Sequence, residues 1–290
     1  MRILRVAGFI LCSCSNAVSA TDLPNLSLSE RYAKNSCAVV RIEGPNDSGT
    51  GFFVNSSGLL VTAAHVLFDR SFTKQGNDYP ITIALHWPLN VVFQNGQKRT
   101  MEKPTLGQRD LENAIFDVAA INTGLKTDCF IALGKSDDVR VGDPVISIGF
   151  PGSATSGVLY AGFLSAKHNH VPTVIGPVKD TTDFRSVSRD IFRVQMPVTA
   201  GASGSPVIDD NNKVVAVVSE IPVVWTTELS GFIHAVQSGG TGSIVMSGFN
   251  TTAILAQLAL IVKEFESPGA GLAVPISYLR LPPATQSPKP

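Results

Sequence analysis

The sequence predicts an all-β chain, two six-stranded antiparallel β-barrels side by side with an inserted helix near the C-terminus. Three observations predict it. From residue 37 onward the apolar runs are short and rich in Val, Ile and Phe, and clusters of Gly, Pro, Asn and Asp separate them. The runs number about twelve, and the turn-forming stretch 137–142 divides them about evenly. With 290 residues, 44% of them hydrophobic, the chain has material for one large or two medium cores. Two barrels set together would leave a ligand cleft at their junction.

Taken in order, residues 1–20 read as a secretory signal. Arg2 and Arg5 precede an apolar stretch at 6–11, and the small residues 17–20 precede a cleavage site after Ala20. A bilayer span needs about 20 apolar residues, so this stretch is too short to be one. Leu11-Cys12-Ser13-Cys14 also resembles a bacterial lipobox with Cys14 as the lipidated residue, although Cys12 departs from the usual choice at its position. Removing the signal leaves Cys37 and Cys129. In an oxidising compartment the pair would form a disulfide. Such a bond closes a loop of about 90 residues and contributes ~4 kcal/mol in the chain-entropy view. Two separate buried thiols are the alternative.

The first set of strands is expected at 38–42, 51–54, 59–63, 81–86, 91–94 and 115–121, giving a domain at 21–135. The second set, at 144–149, 157–166, 191–196, 205–208, 214–219 and 271–275, gives a domain at 136–280. Between the last two, residues 222–268 look inserted. There Asn250 is a suitable N-cap for a helix at 251–265, where Ile254, Leu255, Leu258, Ile261 and Val262 recur at helical spacing. Gln257 interrupts its apolar face, which suits a packed surface helix rather than a membrane span. Residues 281–290 hold four prolines without apolar periodicity and read as a flexible tail.

Charge narrows the function. Basic and acidic side chains number 23 each, and no long basic run exists to neutralise phosphates, which argues against a nucleic-acid partner. Three segments carry chemistry instead: Thr62-Ala63-Ala64-His65 after an apolar run, Phe116-Asp117-Val118-Ala119, and Gly201-Ala202-Ser203-Gly204-Ser205-Pro206. Each alone has a bland reading, as a packed histidine, a strand-end acid (with Asp110 and Glu112 as rivals) and a simple turn. In the order His, Asp, Ser they resemble the chymotrypsin-fold, or trypsin-like, serine proteases, over nearly all of the chain after the signal.

The chemistry explains the residue types. A serine hydroxyl is a weak nucleophile at neutral pH and needs a base within hydrogen-bond reach. His65 can take that proton and return it to the leaving amine. Asp117 would fix the imidazole tautomer and stabilise the imidazolium. The resemblance further implies an oxyanion hole at the backbone N–H groups of Gly201 and Ser203, and no cofactor or metal.

Within the family, Ala202 stands where pancreatic-type members carry the Asp that pairs with a new N-terminus, so that route to activation is not expected. Gly49-Thr50-Gly51-Phe52-Phe53 and Gly271-Leu272-Ala273-Val274-Pro275 look like the HtrA/Deg branch, which usually adds PDZ domains. Only residues 280–290 remain after the match, so no PDZ regulation is expected. Ser205-Pro206 also resembles the glutamyl endopeptidases, but Val218 replaces the histidine that reads an acidic side chain there. Ser219 matches the serine that bonds the triad acid. The resemblance thus implies a restricted apolar pocket lined by Pro197, Val198, Thr199, Val218, Ser219 and Ile221.

His168 and His170 read as a solvated loop rather than a metal site, and His86 and His234 as ordinary residues. The expectation is an exported, periplasmic or extracellular serine endopeptidase acting on proteins or peptides. Two rivals stand beside it, a protease-fold binding protein with an occluded site and an esterase using the same triad.

Overall fold

The computed structural model describes residues 26–45, 48–72, 81–152, 154–177, 184–220, 245–246, 249–250 and 269–282. The leader at 1–20, Cys14, Ile221, His234, the helix at 251–265 and residues 283–290 lie outside them.

A helix opens the described chain, α1 (Leu28–Asn35). Its start is a capping box: the Ser27 hydroxyl accepts from the Glu30 N–H at 3.3 Å, and the Ser27 N–H donates to Glu30 Oε2 at 2.8 Å. The helix packs against the second barrel through Arg31, which is only 5% exposed. That guanidinium donates to Ile208 O at 3.1 Å and Asp209 O at 2.7 Å, and pairs with Asp210 at 3.1 Å. Burial lowers the Arg31 pKa, with Asp210 and Asp209 opposing the shift. A 3-10 turn (Ser36–Ala38) follows, so Ala38 precedes the first strand rather than opening it.

The first half is a six-stranded curled sheet. Its strands are β1 (Val39–Glu43), β2 (Ser48–Phe53), β3 (Leu59–Thr62), β6 (Asn90–Val92), β7 (Lys98–Thr100) and β8 (Ala119–Asn122), in the order β7-β6-β1-β2-β3-β8. Among the described residues it does not close on itself. A separate ribbon is formed by β4 (Phe68–Phe72) and β5 (Ile81–Leu85). The second half is a closed barrel of β9 (Pro144–Gly149), β10 (Val158–Pro177), β11 (Phe184–Gln195), β12 (Pro206–Ile208), β13 (Val214–Glu220) and β16 (Gly271–Pro275). Near the insertion, β14 (Val245–Met246) pairs with β15 (Phe249–Asn250), so Asn250, expected as a helix N-cap, ends a strand.

Two expectations need correction. Residues 115–121 are not one strand: Ile115 and Phe116 close the helix α3 (Gln108–Phe116), and β8 begins only at Ala119. The amphipathic stretch from Gln108 carries helical spacing into the apolar run, and the Asp110 carboxylate accepts the Gly107 N–H at 2.8 Å to cap the helix start. His168 and His170 lie on β10 rather than in a loop, where a register shift between His168 and Val171 gives His170 a φ of 61°.

The halves share a core. Phe52, Val61 and Val118 of the first pack with Ile146, Phe150, Val214 and Val274 of the second. Such burial is worth about 2 kcal/mol per large side chain. Cys37 and Cys129 are disulfide-bonded, with Cα atoms 5.9 Å apart.

Candidate active site

Sheet register brings His65 and Asp117 together. Thr62, the last residue of β3, pairs with Ala119, the first of β8. His65 follows Thr62 on a one-turn helix, α2 (Ala64–Leu67), and Asp117 precedes Ala119. Both side chains therefore leave the sheet at one edge. Asp117 ends α3 in the left-handed region (φ 60°, ψ 42°), which aspartate tolerates better than most side chains. The helix end is closed by the Val118 N–H donating to Asn113 O at 3.2 Å.

The carboxylate is held by three donors. Oδ1 accepts the His65 backbone N–H at 2.9 Å, the imidazole Nδ1 lies 2.9 Å from Oδ2, and the Ser219 hydroxyl donates to Oδ2. Burial alone would raise the Asp117 pKa, but the hydrogen bond and charge of His65, with the Ser219 hydroxyl, outweigh it and hold the carboxyl below its ordinary value. An ionised carboxylate only accepts, so Nδ1 carries the proton and Nε2 presents a lone pair. The imidazole side chain is 49% exposed and the carboxylate 16%, so the ring faces solvent from a shielded acid.

Ser203 arrives from the second barrel. The turn at 201–204 is fastened on two sides: Thr50 N–H donates to Ser203 O at 2.8 Å, and Gly204 N–H to Val218 O at 2.7 Å. Thr50 Oγ1 donates to Gly201 O at 2.9 Å and accepts the Phe150 N–H at 2.9 Å. Ser203 Oγ donates to the carbonyl of Ser219 at 3.2 Å, and the hydroxyl of that same Ser219 reaches Asp117. One residue of β13 thus touches the serine and the acid. In the sequence Thr50 stands only as part of a Gly-Thr-Gly-Phe run, and in the structure its hydroxyl locks the serine turn to the first sheet.

The glycines are required by space and by backbone. Gly201 has φ 89°, and a Cβ there would fall 2.7 Å from Phe150 O. Gly204 has φ 90°, and its Cβ would overlap Thr50 O and the Thr62 hydroxyl. Gly204→Ala is expected to cost about 3 kcal/mol or more through left-handed strain plus overpacking. The check is a lower denaturation midpoint at unchanged slope. Among the described residues, neither the Gly201 nor the Ser203 N–H donates to a protein acceptor.

Of the expected pocket residues, Pro197 and Thr199 are exposed, while Val198, Val218 and Ser219 are 3%, 2% and 2% exposed. Val198 and Val218 pack in one cluster with Tyr160, Met196 and Ala273. Burial raises the Tyr160 phenol. Among the described residues no three His, Cys, Asp or Glu side chains gather as a metal site.

Residues 49–217 match the family model for the trypsin-like peptidase domain. The chain belongs to that family. The matched stretch holds His65, Asp117 and Ser203. The chain is 28% identical over 170 residues (58% of the chain, 27% of the relative) to a probable periplasmic serine endoprotease, DegP-like, of Bartonella henselae. It is 26% identical over 240 residues (81% and 47%) to serine protease PepD of Mycobacterium tuberculosis. It therefore spans about a quarter to a half of the length of these curated relatives. Among solved structures, Rv3671c from M. tuberculosis H37Rv in an inactive form matches with TM-score 0.53 at 15% identity, covering 88% of this chain and 89% of that one. The HtrA-type protease AlgW with tripeptide matches with TM-score 0.51 at 17% identity, covering 88% and 61%. These two likenesses bear on the fold.

Proposed function

We propose that the chain is an exported serine endopeptidase in which Ser203, His65 and Asp117 form a catalytic triad, carried by domains at 21–135 and 136–280. The observation that carries this reading is the single Asp117 carboxylate bonded to both N–H groups of His65 and to Ser219, whose carbonyl takes the Ser203 hydroxyl. In the proposed reaction Ser203 Oγ attacks the scissile carbonyl carbon while Nε2 of His65 takes the hydroxyl proton. The tetrahedral oxyanion is received by the N–H groups of Gly201 and Ser203, donors of a kind worth ~3 to 4 kcal/mol. The C–N bond breaks as His65 passes the proton to the leaving amine, and an acyl group remains on Ser203. Water, deprotonated by His65, then releases the acid and restores the hydroxyl.

Peptide substrates are supported by the tripeptide on the HtrA-type relative, and a periplasmic or extracellular place by the leader-like residues 1–20 and the periplasmic naming of the DegP-like relative. No helix among the described residues is long and apolar enough to cross a membrane. The restricted apolar pocket proposed at Pro197, Val198, Thr199, Val218, Ser219 and Ile221 rests on the family resemblance; Pro197 and Thr199 are exposed, and Val198 and Val218 are buried in the barrel core.

The test is labelling with a fluorophosphonate at neutral pH under oxidising conditions, followed by peptide mapping. The expected adduct is on Ser203 alone, accompanied by cleavage of a peptide library after small or apolar residues. No adduct on Ser203 would overturn the triad. A strong preference for Arg, Lys or Glu before the cut would overturn the pocket.

A further inference from the structure

Asp117 is held from a second direction, by groups that do not touch the histidine. The carbonyl of Phe116 is the last of α3 and has no partner within the helix. Arg189 of β11, 8% exposed, donates Nη1 to that carbonyl at 3.1 Å. The Phe116 ring stacks on Tyr278, with centroids 4.5 Å apart and planes 23° from parallel. The Tyr278 hydroxyl accepts the Asp190 N–H at 2.7 Å, tying that ring to the residue after Arg189. One turn earlier, Asn113 pairs with the backbone of Arg280 through both amide groups, its Nδ2 donating to Arg280 O at 3.0 Å and its Oδ1 accepting the Arg280 N–H at 2.8 Å. Asn113 is fully buried.

The final turn of α3 is thus enclosed by β11 and by the segment after β16, all belonging to the second half of the chain. The residue directly after this turn is Asp117, whose left-handed backbone leaves little freedom between the helix end and the carboxylate. Any tilt of the turn moves the carboxylate relative to His65, which is anchored on the first sheet.

We propose that Arg189, Tyr278 and Asn113 form a clamp of positioning residues through which the second barrel sets the orientation of Asp117. The inference rests on the reading of Asp117 as the triad acid. It makes alignment of the His–Asp pair depend on how the two halves sit together.

The test uses the whole chain and two readouts. One is the low-field proton resonance of His65 Nδ1–H, which reports its hydrogen bond to Asp117 without needing turnover. The other is kcat and KM on a cleaved peptide. In Arg189→Met and Tyr278→Leu the resonance is expected to move upfield and exchange faster, and kcat to fall about tenfold at unchanged KM, as misalignment of a reacting group does. Arg189→Lys and Tyr278→Phe should recover most of both. An unmoved resonance and unchanged kcat, with only a lower melting temperature, would overturn the clamp. If Arg189→Met does not fold, Tyr278→Leu carries the same test. Ser203→Ala runs in parallel: full activity there would sink the triad itself, while the resonance still decides the clamp.

Discussion

Replacing Ser203 by alanine is expected to lower kcat about a millionfold, the scale seen when the nucleophile of such a unit is deleted. The change removes one oxygen, the one that in the proposed route bonds the acyl group. In energy terms the loss is about 8 kcal/mol of transition-state stabilisation. The cost to folding is of another order. The turn stays fastened by backbone bonds that alanine retains, from Thr50 N–H to Ser203 O and from Gly204 N–H to Val218 O. Only the 3.2 Å bond from Ser203 Oγ to Ser219 O disappears, about 1 kcal/mol at most in a partly exposed place. The variant should therefore unfold at nearly the wild-type denaturant concentration while cleaving peptides at a residual rate set by the N–H groups of Gly201 and Ser203 and by binding. Single-turnover measurement at saturating peptide checks it. A loss smaller than a hundredfold would mean that another group makes the attack.

The two effects separate because the turn is held by backbone bonds from both halves of the chain. The segments holding His65, Asp117 and Ser203 stand out in the sequence through their resemblance to the family, and the structure bonds the His65 ring to Asp117 and sets the Ser203 hydroxyl on the carbonyl of Ser219. The second barrel was legible too, since strands such as Pro144–Gly149 and Gly271–Pro275 are short apolar runs bounded by turn formers. The run 115–121 misled because apolar residues ending a helix and opening a strand form one continuous stretch, and periodicity over so few positions cannot divide them. The divider is the left-handed backbone at Asp117, and an aspartate does not announce that as a glycine would. Helix α1 is hidden in the sequence for a different reason. Its stretch Leu28–Asn35 has too few apolar residues to show a face, although Ser27 and Glu30 already spelled a capping box. What no local pattern carried were the pairings across the halves: Arg31 on the 208–210 turn, Thr50 on Gly201, Arg189 on Phe116. Each joins residues distant in sequence, and each uses a backbone carbonyl as acceptor, with the Asp210 carboxylate beside it in the case of Arg31; a carbonyl leaves no mark in the amino-acid code.

Asp117→Asn is expected to lower kcat about ten-thousandfold at neutral pH while leaving the local structure in place. With its oxygen in the Oδ1 place an asparagine still accepts the His65 backbone N–H, and its NH2, in the Oδ2 place, donates to the Ser219 hydroxyl, which turns to accept, so the side chain stays seated. What changes is the group facing Nδ1. The amide NH2 donates where the carboxylate accepted, so Nδ1 must become the acceptor and the imidazole proton moves to Nε2. In that tautomer the ring has no lone pair to offer the Ser203 hydroxyl, and the imidazolium formed during attack loses its neighbouring negative charge. KM should change little, because Asp117 lies behind the histidine. The same carboxylate also sets a pH dependence of stability. Its pKa in the folded chain is below the ordinary aspartate value of 3.8, so its stabilising contribution is fully present above that value and is lost as pH falls through the lower folded value. Asparagine has no such titration. The Asp117 contribution to the stability difference between wild type and Asp117→Asn should therefore be lost only in acid, below pH 4 or so, the wild type losing more. Urea titrations at a series of acid pH values would show this as two midpoint curves that converge or cross. Curves that stay parallel to pH 2, together with wild-type kcat in the asparagine variant, would remove Asp117 from the triad and return Asp110 and Glu112 to consideration.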